Sequence, residues 1–135
     1  MDPSRLNASL EQAERLLNKG SLHDAEAIYR EILNELPGQP KASQGLGLIA
    51  LHTGNASAAI ELFQMAAISL PNDPSITTQL GLAFGAAGDS KSSETCLRKA
   101  LELAPSFADG HLNLANLFLE TGRITEAAKS YKNVR

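Results

Sequence analysis

The sequence predicts an all-α fold, a solenoid of about four helix–turn–helix units. Three observations predict it. Glycines Gly20, Gly54, Gly88 and Gly122 recur every 34 residues without a break. With glycine near 7% of average sequence, three further matches to the first arise by chance about once in 3,000. Prolines Pro37, Pro71 and Pro105 keep the same period. Between these markers the apolar residues recur at the spacing of a helix with one buried side. A fixed period of this length marks stacked supersecondary units. No such unit buries its apolar side alone, so neighbours must cover one another.

The elements follow in order. Asp2-Pro3 starts a helix, with an acid at the N-cap and proline at the first helical position. This helix is expected over Pro3 to Lys19, with Leu6, Leu10, Ala13, Leu16 and Leu17 inward, until Gly20 stops it. Ser21 is expected to cap the second helix, with Asp24 as a short capping box. That helix, about Leu22 to Leu36, buries Ala25, Tyr29, Ile32 and Leu33 and ends at Pro37-Gly38. Pro40 to His52 carries Leu46, Gly47 and Ala50. Asn55 caps Ala56 to Leu70, which turns Ala59, Ile60, Phe63 and Ala66 inward. Asp73-Pro74 repeats the acid-plus-proline start, and Leu80, Gly81 and Phe84 face the core before Gly88. Asp89 caps Ser90 to Leu103, with Leu97, Ala100 and Leu101 inward. Ser93 takes an alanine position, where a hydroxyl is tolerable if it bonds back to a carbonyl one turn earlier. The last pair runs from Ala108 through Leu114, Ala115 and Phe118, turns at Gly122, and continues from Ile124 to Arg135. Eight helical patterns with short connections put helix above about two-thirds of the residues, against an average of one-third.

Composition narrows the function. The chain has 135 residues, 43% hydrophobic and 20% charged, which suits one domain over 1–135. Aromatics make up 4% and tryptophan is missing, so the core is built from Leu, Ile and Ala. The net charge is −3 and lysines and arginines are scattered, which argues against a nucleic-acid partner. Cys96, the single cysteine, has no partner for an internal disulfide. The opening residues MDPSRLNASLEQ lack the apolar run of a signal peptide. No stretch of about 18 apolar residues is present, so no membrane span is expected. A cytoplasmic location is the default expectation.

Enzyme chemistry has little footing. His23, His52 and His111 fall in three separate units and none has metal-ligand spacing. His111 is expected to pack and His52 to face the groove edge. The G-x-G of Gly45 and Gly47 lies inside a helical pattern, not after a strand, so it is no phosphate loop. No cofactor is implied. Charges on the second helices, such as Glu31, Glu35, Arg98, Lys99 and Glu102, read as a solvated face.

The pattern resembles the tetratricopeptide repeat, a 34-residue helix–turn–helix. The family's small residue in the first helix matches Ala13, Gly47, Gly81 and Ala115. Its alanine in the second helix matches Ala25, Ala59 and Ala127, and its aromatic matches Tyr29, Phe63 and Tyr131, with Leu97 departing. Its closing proline matches Pro37, Pro71 and Pro105. The usual tryptophan is replaced by Ser9, Ser43, Thr77 and His111. The repeats fall at about 6–39, 40–73, 74–107 and 108–135, the last truncated. Small residues would let paired helices approach, and the aromatics would fill the wedge between units.

The resemblance implies a right-handed α-solenoid whose first helices line a concave groove. Layers about 10 Å apart give a groove roughly 40 Å long. At about 3.3 Å per residue, an extended peptide would lay a dozen residues in it. The implied groove residues are Lys41, Gln44, Leu48, Thr78, Gln79, Leu82, Asp109, Leu112, Asn113 and Asn116. Asn113 offers one acceptor and two donors, enough to pair with both sides of a peptide unit. Asn113-Leu114-Ala115-Asn116 resembles the repeats of O-linked N-acetylglucosamine transferases, where an asparagine row holds peptide backbone. Leu48, Leu82, Leu112 and Leu119 read first as core between paired helices and second as a groove floor. Leu10, Glu14, Gly45, Ser75 and Gln79 stand where the carboxylate-clamp members carry their gripping residues, so that ligand is not implied.

The function read from this is a protein-interaction module that binds an extended peptide or partner protein. An alternative is the N-terminal substrate-recruiting or scaffolding arm of a larger enzyme. The run from Ala25 to Leu33 is similar to repeats of bacterial proteins that continue into a glycosyltransferase or sulfotransferase. A third reading is a self-assembly piece, with weak self-association through the C-terminal helix.

Overall fold

The four turn glycines explain the period. Gly20, Gly54, Gly88 and Gly122 all take left-handed backbone, with φ of +82°, +84°, +85° and +78°. Each is the residue after a helix C-cap. There the next N–H reaches back to the carbonyl five residues earlier, as from Ser21 to Leu16 at 2.9 Å and Arg123 to Phe118 at 2.7 Å. Glycine enters this conformation without the Cβ penalty other residues meet. The residue that closes one helix in this way also stands at the N-cap of the next, so the connections are very short.

The computed structural model describes residues 1–134. Among them are eight α-helices and no strand, and helix accounts for 78% of the chain. The helices are α1 (Pro3–Asn18), α2 (Leu22–Glu35), α3 (Pro40–His52), α4 (Ala56–Ser69), α5 (Pro74–Ala86), α6 (Ser90–Leu103), α7 (Ala108–Glu120) and α8 (Ile124–Tyr131). Capping chemistry sets most starts. Asp2, Asn55, Asp73 and Asp89 each accept from a backbone N–H two or three residues on, at 2.9 to 3.3 Å. Gln39 does the same for α3, accepting from the Ala42 N–H at 2.9 Å. Ser21 makes no side-chain cap to α2, contrary to expectation. The expected α8 is also shortened. Past Tyr131 the N–H groups of Asn133 and Val134 reach only three residues back, so the helical ladder stops, and Arg135 lies outside the described residues.

The chain divides after Leu70 into two compact units of two helix pairs each. In Met1–Leu70, consecutive helices pack on one another and α1 also lies against α3. Its core joins Ala13, Ala25, Tyr29, Ile32, Ala42, Leu46 and Ile49, with Phe63 fully buried as well. In the unit beginning at Pro71, α5 to α8 pack consecutively and α5 lies against α7. There Leu97, Leu114, Leu117, Phe118 and Ala127 form the cluster. Truncating one of the large aromatics, Phe63 or Phe118, would cost roughly 3–5 kcal/mol.

Glycines allow the closest approaches. A Cβ on Gly47 would sit 2.6 Å from the Phe63 ring of the paired helix, and one on Gly45 2.3 Å from the Tyr29 ring of the preceding pair. The small residue thus does what the resemblance implies at Gly47. The aromatic does so at Tyr29 but not at Tyr131, which is 39% exposed.

Candidate ligand-binding cavities

In each unit the two neighbouring first helices leave a cavity between them, floored by the second helix that lies beneath. In the first unit α1 contributes Leu10, Glu14, Leu17 and Asn18, and α3 contributes Lys41, Gln44, Gly45 and Leu48. Tyr29 of α2 forms the floor of this space of about 280 Å³. The missing Cβ at Gly45 makes room for the Tyr29 ring beneath it. Burial, and after it the nearby Glu14 carboxylate, push the Tyr29 phenol above its usual range, so at neutral pH it keeps its proton.

The second unit repeats the arrangement with other side chains. α5 supplies Leu82, Gly85 and Ala86, and α7 supplies Asn113, Asn116, Leu117 and Glu120. Ser93 and Leu97 of α6 lie beneath, and the space is about 300 Å³. These positions match those of the first cavity two repeats on, with Leu82 for Glu14, Leu97 for Tyr29, Asn113 for Gly45 and Asn116 for Leu48. Glu14, Lys41 and a phenol in one cavity give way to leucines, asparagines and Glu120 in the other. Ser93 opens on this space, and among the described residues its hydroxyl makes no bond back to the preceding turn, so the cavity rather than that bond accommodates it.

Six of the ten implied groove residues therefore line a cavity: Lys41, Gln44 and Leu48 in the first unit, and Leu82, Asn113 and Asn116 in the second. Asp109 and Leu112 are exposed on α7 outside the cavity lining, and Gln79 is half-buried on α5. Thr78 departs from the expectation. It is only 3% exposed and its hydroxyl oxygen has no partner, so it presents no surface. Asn116 is partly committed, because its Oδ1 accepts from the Tyr131 hydroxyl at 2.6 Å. The leucines read first as core are surface residues instead: Leu82, Leu112 and Leu119 are 38%, 40% and 51% exposed. Small residues and rings already fill the space between paired helices, which leaves these leucines outside. The residues that went unrecognised as cavity floor are Tyr29, Ser93 and Leu97. Their common spacing from the first-helix residues, repeat after repeat, was the signal that could have found them.

Other chemistry finds no support in the geometry. Among the described residues no three His, Cys, Asp or Glu converge as metal ligands. Cys96 is half-buried, and burial raises its thiol above the usual range, against a smaller lowering by Lys99, so the reactive thiolate is disfavoured. His111 Nε2 lies 2.7 Å from the Pro105 carbonyl oxygen, which ties it to its own loop. No helix among the described residues is long and apolar enough to cross a membrane.

Comparison with known proteins gives a consistent result. The tetratricopeptide repeat family matches residues 10–74 and 78–134. A curated relative is cellulose synthase operon protein C of Pseudomonas fluorescens (strain SBW25), 27% identical over 135 residues. The match covers 94% of this chain but only 11% of that protein. Among solved structures, a thermophilic TPR protein from Thermus thermophilus superposes with a TM-score of 0.86 at 21% identity, over 94% of this chain and 71% of its own. MamA from Desulfovibrio magneticus RS-1 gives 0.83 at 20% identity, over 92% and 70%. A mutant of the Thermobaculum terrenum O-GlcNAc transferase gives 0.83 at 27% identity, over 85% of this chain and 22% of that one.

Proposed function

We propose that this chain, which belongs to the tetratricopeptide repeat family, is a protein-interaction module that takes an extended partner segment along its first helices. The observation that carries this reading is the pair of cavities at matching repeat positions. An extended chain presents side chains and backbone amides at a regular rise of about 3.3 Å per residue. A surface of repeated hollows between first helices suits such a ligand better than it suits a compact small molecule. Asn113 and Asn116 supply amide groups where backbone would pass, and Lys41, Gln44 and Leu48 supply the first-unit contacts.

The test starts from peptides selected from a displayed random library on the intact chain. Replacing Asn113 with Ala should weaken the best of them by about 1 kcal/mol, roughly fivefold, if one neutral hydrogen bond is lost. Helical circular dichroism should not change. Equal affinities remove Asn113 from the site, and a library that yields no binder overturns the reading.

A second reading is favoured by the short spans of the longer relatives that this chain matches, 11% and 22% of their lengths. In it the same surfaces present a protein substrate to a catalytic segment of a larger polypeptide. An antibody against this chain would then detect a native product far heavier than 14.3 kDa. A second copy of the chain is a further partner in our reading, through α8, where Ile124 and Tyr131 are 60% and 39% exposed.

A further inference from the structure

The first cavity holds a polar group that the protein does not satisfy. Tyr29 is 4% exposed and lines the cavity, and among the described residues its hydroxyl has no hydrogen-bond partner. The fourth repeat shows how the same position is otherwise satisfied. There Tyr131 donates to Asn116, fifteen residues earlier, at 2.6 Å. The residue at that offset before Tyr29 is Glu14, which lines the same cavity. No hydrogen bond joins Glu14 to Tyr29, and among the described residues no cation pairs with Glu14. The Tyr29 hydroxyl is not sealed from the cavity, so it is open to a ligand there, and the exposed, unpaired Glu14 carboxylate beside it attracts positive charge.

We propose that the first cavity is a subsite for a lysine side chain of the bound segment, its ammonium held between the Glu14 carboxylate and the Tyr29 hydroxyl. This deepens the peptide-binding reading and rests on it. Leu10, Leu17 and Leu48 line the walls and suit the methylene stem. An ammonium has three donors, which the carboxylate, the phenol oxygen and solvent can take. The phenol keeps its own proton at neutral pH, so it remains a hydrogen-bonding group rather than a second anion. The second cavity does not repeat this carboxylate–phenol pair, because Leu82 and Leu97 replace Glu14 and Tyr29, and its own carboxylate, Glu120, stands at another repeat position. Lys41 also lines the first cavity, on the α3 wall. It is an exposed side chain whose charge opposes the incoming ammonium, and this gives the proposal a second, independent sign.

The experiment uses single-residue probes: the Nα-acetyl N-methylamides of lysine, norleucine and glutamine. Each is titrated into the isotope-labelled intact chain while the backbone amides of Glu14, Tyr29 and Gly45 are followed by NMR, with Asn113 as the control. The lysine probe should shift the first three and leave Asn113 unmoved, and it should bind about tenfold tighter than norleucine. Glu14→Gln should erase that preference, and Tyr29→Phe should reduce it by about threefold with the ring still in place. Lys41→Met should tighten the lysine probe by roughly twofold. Circular dichroism checks that each variant is folded. Equal shifts from lysine and norleucine would make the cavity an apolar hollow and overturn the proposal. A preference for glutamine, or lysine shifts that survive Glu14→Gln, would overturn it as well. A selected peptide that still binds in any of those cases would leave the peptide-binding reading standing and sink the lysine subsite alone.

Discussion

Gly45 and Gly47 sit on one turn of α3 with a ring against each: Tyr29 within 2.3 Å of a Cβ built at Gly45, and Phe63 within 2.6 Å of one at Gly47. Each glycine costs a helix interior about 1 kcal/mol relative to alanine, so propensity alone favours replacement. Packing opposes it, because a ring would have to give way at each site: Tyr29 is 4% exposed and Phe63 fully buried. Overpacking of this kind costs roughly 1–3 kcal/mol. Gly45→Ala should therefore lower the urea midpoint despite its better propensity. Gly38→Ala is the control, since a Cβ there meets nothing within 4 Å, and it should be nearly neutral. An unchanged or raised midpoint for Gly45→Ala would mean that α2 and α3 separate at little cost. In that event Tyr29 would not be a fixed floor for the first cavity.

Among the elements, α8 depends most on a single side chain. Arg123, its N-cap residue, makes no side-chain cap but donates to Glu126 of α8 at 2.8 Å and to Glu94 of α6. Its guanidinium also lies 4.4 Å from the centre of the Phe118 ring. Burial pulls the Glu94 carboxyl upward, but hydrogen bonds from Arg98 and Arg123 outweigh it and hold the group below its usual range. Glu126 is lowered as well, chiefly by its hydrogen bond from Arg123. A carboxyl lowered on folding contributes stability above its unfolded value and loses it as pH falls through the folded one. Arg123→Gln should therefore lower the urea midpoint at neutral pH, and that gap should narrow in acid, as the pH falls below the ordinary carboxylate range. An equal gap at neutral and acid pH would assign the loss to ring contact rather than to ion pairing. Helix positions were legible in the sequence because their punctuation is local: an acid, a glycine or a proline acts on its own neighbours. The Gln39 cap was not legible, since glutamine is a poor N-cap by type, and neither was the failure of Ser21. The Glu94–Arg123 pair joins residues 29 apart, and pattern alone does not choose between the two acids on α6, Glu94 and Glu102.

For the molecule as a whole, the repeat made the fold legible, and the departures from it made the site legible only in part. First-helix positions could be read because every unit repeats them. The burial of Thr78 and the bond from Tyr131 to Asn116 could not, because each depends on how particular side chains fill space. The same non-equivalence singles out α8. At the aromatic position Tyr29, Phe63 and Leu97 are 4%, 0% and 1% exposed, whereas Tyr131 is 39% exposed. Within each unit, Tyr29 and Leu97 belong to second helices that pack under the first helix that follows. The outer side of α8 keeps Tyr131 and Ile124 in solvent. A two-fold pairing of α8 with α8 would cover the same patch on both copies at once, and the small apolar area makes that pairing weak. Sedimentation velocity should then show a coefficient that rises with concentration for the parent and for Tyr131→Phe, and a monomer throughout for Tyr131→Glu. The phenylalanine variant separates loss of the Asn116 bond from loss of the apolar surface. If the parent remains monomeric at the highest concentration, a second copy is not what covers α8, and its exposed residues are left to a partner of another kind.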